Sequence, residues 1–430
     1  MTSRIRRFLH SPSLIVGSRI GSAALGLISA PLIARALGPD GRGTTAGALA
    51  IIGLLPIVLG FGLPLVVRRL SIDTASIGPA IRAVRLFALM AVAPSVLIAW
   101  GTTFFLPTLQ VAPNFVAFLI TAGAAPLAIL WICDANVLIA QGKNAQFALV
   151  NIVPGIVTVG IILVGWALDT LSVPVVLLAN LASTIATLIL TTFLTRVRLL
   201  GTRLPLRSCL REGGKFAGSQ LSEAASYRLD QVIALPLIGA FDAGLYSVAA
   251  TIALIPYAIG QAVGTAVFSH VARAENDTDR VHRTAVAMRI GFISGGVTAG
   301  LLALASPLLV PIIFGHEFVG AVVPTLWSLV GSVAVVISYV AASTFTASGR
   351  GWLMTVAQLS GLAVGIGGLF VLAPLLGAVG ASIASSAGFW VCAIICLARL
   401  GVPFGGLVPR LSDVRATVGL FTHGRFAGSK

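Results

Sequence analysis

Uncharged, strongly apolar stretches of twenty or more residues recur along the whole of this 430-residue chain. A stretch of that length, coiled as a helix, crosses the hydrocarbon core of a bilayer and satisfies its own backbone hydrogen bonds on the way. A soluble protein of this size would divide into two or three domains with charged surfaces, whereas here 57% of residues are hydrophobic and 10% charged. The chain therefore reads as an all-α integral membrane protein. Pro56, Pro126 and Pro256 fall inside the apolar stretches, which membrane helices tolerate when neighbouring helices re-satisfy the backbone.

Twelve spans can be drawn, at about 13–36, 44–67, 86–106, 115–140, 146–168, 171–195, 216–239, 245–269, 285–312, 319–345, 352–375 and 378–400. The net charge of +15 would suggest nucleic acid in a soluble protein, but its placement here reads as topology. Lys and Arg fall in alternate connections: Arg4, Arg6 and Arg7 before span one; Arg68, Arg69, Arg82 and Arg85 between two and three; Lys143 between four and five. The richest cluster, Arg196 to Lys215, joins six to seven, and Arg273, Arg280 and Arg283 join eight to nine. The opposite side holds only Arg35 and Arg42. The positive-inside rule then places both termini in the cytoplasm of a cell membrane. The basic N-terminus reads as the flank of a retained first span, and residues 401–430 as a loosely ordered basic tail.

The chain also resembles itself. With residue n set against n+201, GSRIGSAA from Gly17 pairs with GSQLSEAA from Gly218, and ALGPDGRG ending at Gly43 pairs with LIGAFDAG ending at Gly244. The offset lays span seven on span one. That predicts two six-helix lobes, 1–200 and 201–400, related by a pseudo-two-fold axis along the membrane normal, an arrangement in which transporters bind substrate between halves and alternate access by rocking.

The same hairpins carry a family resemblance. ARALGPDGRG (Ala34 to Gly43), GFGLPLVVRR (Gly60 to Arg69) and LDQVIALPLIGAFDAGLYSVAATIALIP (Leu229 to Pro256) are similar to stretches of the polysaccharide flippases of Wzx type. These belong to the multidrug/oligosaccharidyl-lipid/polysaccharide (MOP) exporter superfamily, with its MATE-like fold. GSRIG (Gly17 to Gly21) resembles the Ser-Arg opening the first span of that superfamily's lipid II flippases. AVFSHVAR (Ala266 to Arg273) departs from the pattern, which has a Pro near Ser269. The resemblance implies a flippase, not an enzyme, that moves polyprenyl-pyrophosphate-linked oligosaccharide to the outer leaflet for polysaccharide assembly. Its implied partners are that lipid-linked substrate, membrane lipids, and a polymerase or glycosyltransferases of the same pathway; no cofactor and no nucleic acid is implied. The competing reading is a secondary multidrug or cation antiporter, which would place a carboxylate in span one where this chain has Arg19. A membrane glycosyltransferase would need a sizeable external loop with paired carboxylates.

A charge at mid-bilayer costs roughly 2.5–3.5 kcal/mol on insertion scales, so charges inside spans are functional candidates. Arg19 lies in span one, Asp134 near the cytoplasmic end of span four, and Glu223, Arg228 and Asp230 in span seven. Arg19 and Arg228 are candidate ligands of a substrate pyrophosphate, because a guanidinium binds phosphate oxygens in bidentate fashion and stays charged in a partly dry cavity. The alternative is a structural ion pair between lobes. Glu223 and Asp230 share a helix face about 10 Å apart; with Asp134 they read as ion-coupling residues or as counter-ions for the arginines. The repeat register sets Arg19 opposite Gln220, at the depth of Glu223.

Other signals fail as sites. Asp277-Thr-Asp279 reads as a solvated charge run in a short cytoplasmic loop. The five histidines lack metal-ligand spacing, and GGKF (Gly213 to Phe216) lacks the rest of a phosphate loop. Cys392 and Cys396, one helical turn apart, read as small core residues. No metal is expected.

Overall fold

The computed structural model describes residues 13–198, 200–272, 277–348 and 350–402. Arg4, Arg6, Arg7, Arg273 and residues 403–430, where a basic tail is expected, lie outside the described residues. Among the described residues the chain is helical, with no strand. In order, α1 is Ser13–Gly60, α2 Leu63–Leu70, α3 Thr74–Thr103, α4 Pro107–Gln110, α5 Asn114–Gly123, α6 Ala125–Ala140, α7 Asn144–Ala167 and α8 Val173–Thr195. Then come α9 Leu206–Ala272, α10 Asp277–Phe314, a 3₁₀ turn His316–Ala321, α11 Val322–Ala347 and α12 Gly351–Leu400.

Nine helices among the described residues are long and apolar enough to cross a membrane. Three of the continuous helices hold two crossings each. α1 has 48 residues, α9 67 and α12 50; at ~1.5 Å rise per residue each would run about 70 Å or more, against a hydrocarbon core of about 30 Å. Each contains one non-helical glycine in the left-handed region: Gly38 (φ 64°), Gly239 (φ 77°) and Gly377 (φ 56°). A side chain resists that conformation and glycine does not. Pro39 reinforces the first break, since a proline disfavours the helical conformation in the residue before it. Counting the three bends restores the twelve crossings.

Gly38 and Gly239 are also 201 residues apart, and their torsions match, with ψ −175° and 173°. The register read from letters is thus the register of the backbone bend. The two bends meet. A Cβ on Gly43 would lie on the backbone carbonyl of Ala240, and one on Gly244 would lie on that of Pro39. Each hairpin turn offers its glycine to the other's backbone, a reciprocal contact of the kind two-fold relations produce.

Several boundaries move from where hydropathy put them. Asp73 caps α3, accepting from the Ala75 N–H (3.1 Å) and the Ser76 hydroxyl (2.8 Å). Those bonds stabilise the anion and hold its carboxyl below the usual carboxylate range. The helix therefore starts twelve residues before residue 86, and Arg82 and Arg85 lie within it, not in a connection. The basic connection before span seven is likewise shorter than expected, because α9 starts at Leu206 and takes in Arg207, Arg211 and Lys215. Asp277 and Asp279 open α10 and are not in a loop; acidic residues suit the positive end of a helix dipole.

Span four is broken at Ala124 between α5 and α6. Pro126 has no N–H to give the carbonyl four residues earlier, that of Ala122, and the buried Ser95 hydroxyl of span three donates to it at 2.6 Å. This is the re-satisfaction by a neighbouring helix that lets proline sit in a span.

By internal packing the chain forms two compact units, Met1–Gly244 and Leu245–Lys430. In the first, α1 packs on α7 and α8, and α3 and α8 both pack on α6. Its cores gather Ile51, Leu55, Phe118, Leu177 and Leu235 in one group, and Leu63, Val67, Ile81, Val84 and Ile129 in another. In the second, α11 lies along α12 with small and hydroxyl residues at the seam: Ser328 donates to Ser382 (3.2 Å), and Ser386 donates to the Trp327 carbonyl (2.7 Å). Lipid exerts no hydrophobic pressure between helices, so close backbone approach and interhelical hydrogen bonds do this work.

Candidate functional site

Arg19 projects from the first span and is exposed. A Cβ built on Gly17 would meet nothing within 4 Å, and the same holds for Gly218, its equivalent in the repeat; two positions before Arg19, Gly17 points to a different side of the helix. Ser18 donates to the Ile15 carbonyl (2.8 Å) and accepts from the Asn151 amide (3.3 Å), while Gly21 faces Ile152. Ser18 and Gly21 thus seat span one against α7.

Glu223 of span seven is exposed, and the charge of Arg19 acts on it. The two residues are more than two hundred positions apart in sequence, and the fold brings them within electrostatic reach of each other. Arg228 does not join them. Its guanidinium lies against Gly53 of span two, so closely that a Cβ there would collide with it. Asp230 is half-buried and turned to its own backbone, accepting from the Gln231 N–H at 2.8 Å.

Asp134 is elsewhere. It is 2% exposed and lines a cavity of about 210 Å³ between α3, α6 and α8, with Ile81, Val84, Arg85, Leu130, Leu188 and Thr192. The hydroxyls of Thr191 and Thr192 lie near it, Thr191 donating to the Leu188 carbonyl (3.1 Å), and Arg85 supplies the nearby positive charge.

Two further arginines belong with these sites. Arg85 reads from sequence as a loop residue, because basic residues near a span end count as topology. Arg289 lies within the drawn ninth span and is 7% exposed; a charge inside an apolar segment was its visible signal. Among the described residues no group of three or more His, Cys, Asp or Glu is arranged to hold a metal. Cys392 and Cys396 are packed in the core of the second unit, where Ser338 donates to the Cys392 sulfur and the Cys396 thiol to Met354, each at 3.7 Å.

Chemically, Arg19 offers one exposed guanidinium with a carboxylate in electrostatic reach. The Asp134 cavity offers a buried carboxylate with nearby hydroxyls and an arginine.

The fold has solved relatives. Lipid II flippase MurJ, in an inward closed conformation, superposes with a TM-score of 0.77 at 13% identity, over 96% of this chain and 92% of that one. A multidrug resistance MATE family transporter of the MOP superfamily, facing inward, gives 0.73 at 13% identity, over 91% and 98%. A MOP superfamily transporter from Pyrococcus furiosus gives 0.61 at 17% identity, over 94% and 96%. These likenesses establish the fold expected from the resemblance, all-helical and MATE-like. No curated protein matches the sequence significantly. The profile of a family described as polysaccharide biosynthesis protein matches residues 32–323; with most of the chain covered, the protein belongs to that polysaccharide biosynthesis family.

Proposed function

We propose that this protein is a flippase that carries polyprenyl-pyrophosphate-linked oligosaccharide from the inner to the outer leaflet of the cytoplasmic membrane. The observation that carries the reading is Arg19: an exposed guanidinium inside a span, in a chain of a polysaccharide biosynthesis family. Such a group receives a phosphate in a partly dry site, and the cost of placing it in the membrane argues for a use. Spans one to six and seven to twelve (1–200 and 201–400) rock as two lobes, the prenyl tail stays in lipid, and Arg228 is a second phosphate ligand reached during the cycle. A polymerase or glycosyltransferases of the pathway supply and consume the cargo. The direct test is transfer of a fluorescent polyprenyl-pyrophosphate oligosaccharide across proteoliposomes. No transfer, together with export of cationic drugs by the same vesicles, would establish the antiporter instead.

The orientation follows from the charge pattern. A cysteine replacing Arg203 in a cysteine-free variant is expected to react with an impermeant maleimide only from the cytoplasm, and one replacing Asp169 only from outside. Reaction of both from one side would dismiss the twelve-span topology with cytoplasmic termini.

Glu223 and Asp230 serve as counter-ions. Changing both, to Gln and Asn, is expected to lower the yield of folded protein several-fold while leaving transport by the folded fraction dependent on a proton or sodium gradient. Normal expression with loss of gradient dependence would make them the coupling residues.

A further inference from the structure

The segment between spans six and seven is fastened to span three by an arginine clasp. Arg82 Nε donates to the Thr202 carbonyl at 2.7 Å, and Arg85 Nη1 donates to the Val197 carbonyl at 3.2 Å. The Leu204 N–H donates to the Pro79 carbonyl at 3.2 Å. On its inner side Arg85 lines the cavity that holds Asp134, and its Nη2 is buried with no hydrogen-bond partner. One guanidinium thus reaches linker carbonyls and shares a cavity with a buried carboxylate.

We propose that this cavity is a proton site, in which protonation of Asp134 releases Arg85 and loosens its clasp on the linker that joins the two halves of the chain. While Asp134 is ionised, its negative charge compensates Arg85 inside the helix bundle. A proton taken up from water by the carboxylate leaves Arg85 as an uncompensated cation at the edge of the membrane. The long stem of arginine then carries its head toward water, away from the Val197 carbonyl. The cavity, at about 210 Å³, has room for several waters at ~30 Å³ each, and its polar groups suit them, so a proton has a route in. The resident guanidinium repels a metal cation.

Several elements bring charged or titratable groups toward Asp134. α3 brings Arg82 and Arg85, and α6 itself brings Cys133. α8 brings Thr191 and Thr192 and ends at Arg196, whose guanidinium lies over the Phe193 ring at 5.8 Å. α2 carries Arg68 and Arg69, both exposed, and Arg69 pairs with Glu212 at 3.8 Å. The charged residues of α1, Arg19, Arg35, Asp40 and Arg42, do not line the cavity, and α7 carries none.

The sign is fixed by the charge balance: the clasp is held when Asp134 is ionised and lost as pH falls through its protonation. The test is hydrogen exchange of the full-length protein in nanodiscs, read as protection of residues 197–204 after correction for the intrinsic pH dependence of amide exchange. Acidification is expected to lower wild-type protection about tenfold, the effect of ~1.4 kcal/mol. Asp134→Asn is expected to show the low protection already at neutral pH and to lose the pH response. Asp134→Glu, which keeps the charge, is expected to behave as wild type, and Arg85→Gln to be unprotected at every pH. Protection within α3 at residues 88–99 controls for global unfolding. Wild-type protection in Asp134→Asn, an unchanged pH response in it, or full protection in Arg85→Gln would each overturn the proposal. No outcome depends on the transported substrate.

Discussion

Replacing Arg19 by alanine is expected to reduce flipping per folded molecule roughly thirtyfold or more. That corresponds to the ~2 kcal/mol or more lost when one partner of a hydrogen-bonded charge pair is truncated. An exposed guanidinium in a span is available to a guest, and a pyrophosphate matches its planar fork with two parallel hydrogen bonds. Arg19→Lys keeps the charge and loses the fork, so it should retain partial transport. The rival account is an internal pair, since Arg19 also lies in electrostatic reach of Glu223. On that account Arg19→Ala mainly lowers the amount of folded protein, and a second change at Glu223 restores it. Measuring turnover and folded fraction separately decides between them. Near-normal flipping by the folded alanine variant would refute the phosphate role.

Gly43→Val is expected to cut transport at least tenfold while leaving the individual spans helical. A Cβ at this position would lie on the Ala240 carbonyl and 2.7 Å from the Gly244 nitrogen. Both are backbone atoms, which cannot rotate away as a side chain can, so the two hairpin turns must part. If the turns meet and separate during each cycle, a variant in which they cannot meet is missing one of its end states. Cross-linking of cysteines placed at Asp40 and Asp242 gives the structural readout: efficient in the parent, sharply reduced in Gly43→Val. Wild-type transport together with lost cross-linking would show that the contact is dispensable.

The helical, membrane-spanning character of the chain was legible because lipid imposes one rule on every span, an apolar stretch about twenty residues long with an internally bonded backbone. The repeat was legible for a related reason. A bend between two spans needs a residue that tolerates positive φ, so Gly38 and Gly239 marked it in the letters before the torsions did. Hydropathy misplaced the start of span three because it counts each arginine as water-facing, whereas the Asp73 cap starts the helix early and Arg82 and Arg85 spend their donors on linker carbonyls. For the candidate residues, sequence identified which side chains were costly in a membrane. It could not say that Arg19 is exposed while Arg228 is laid on Gly53.

By itself, then, the sequence determined the class, the number of crossings, the repeat offset and most of the charged residues worth attention, since each follows from composition or from local backbone requirements. Tertiary structure alone decided which of those residues meet. Arg19 and Glu223, Arg85 and Asp134, Arg82 and Thr202, and Ser95 and the Ala122 carbonyl are brought together from 27 to more than two hundred positions apart. Such pairings are fixed by how helices rotate and slide against one another, and in lipid that is set by small-residue contacts and interhelical hydrogen bonds whose partners no local pattern records.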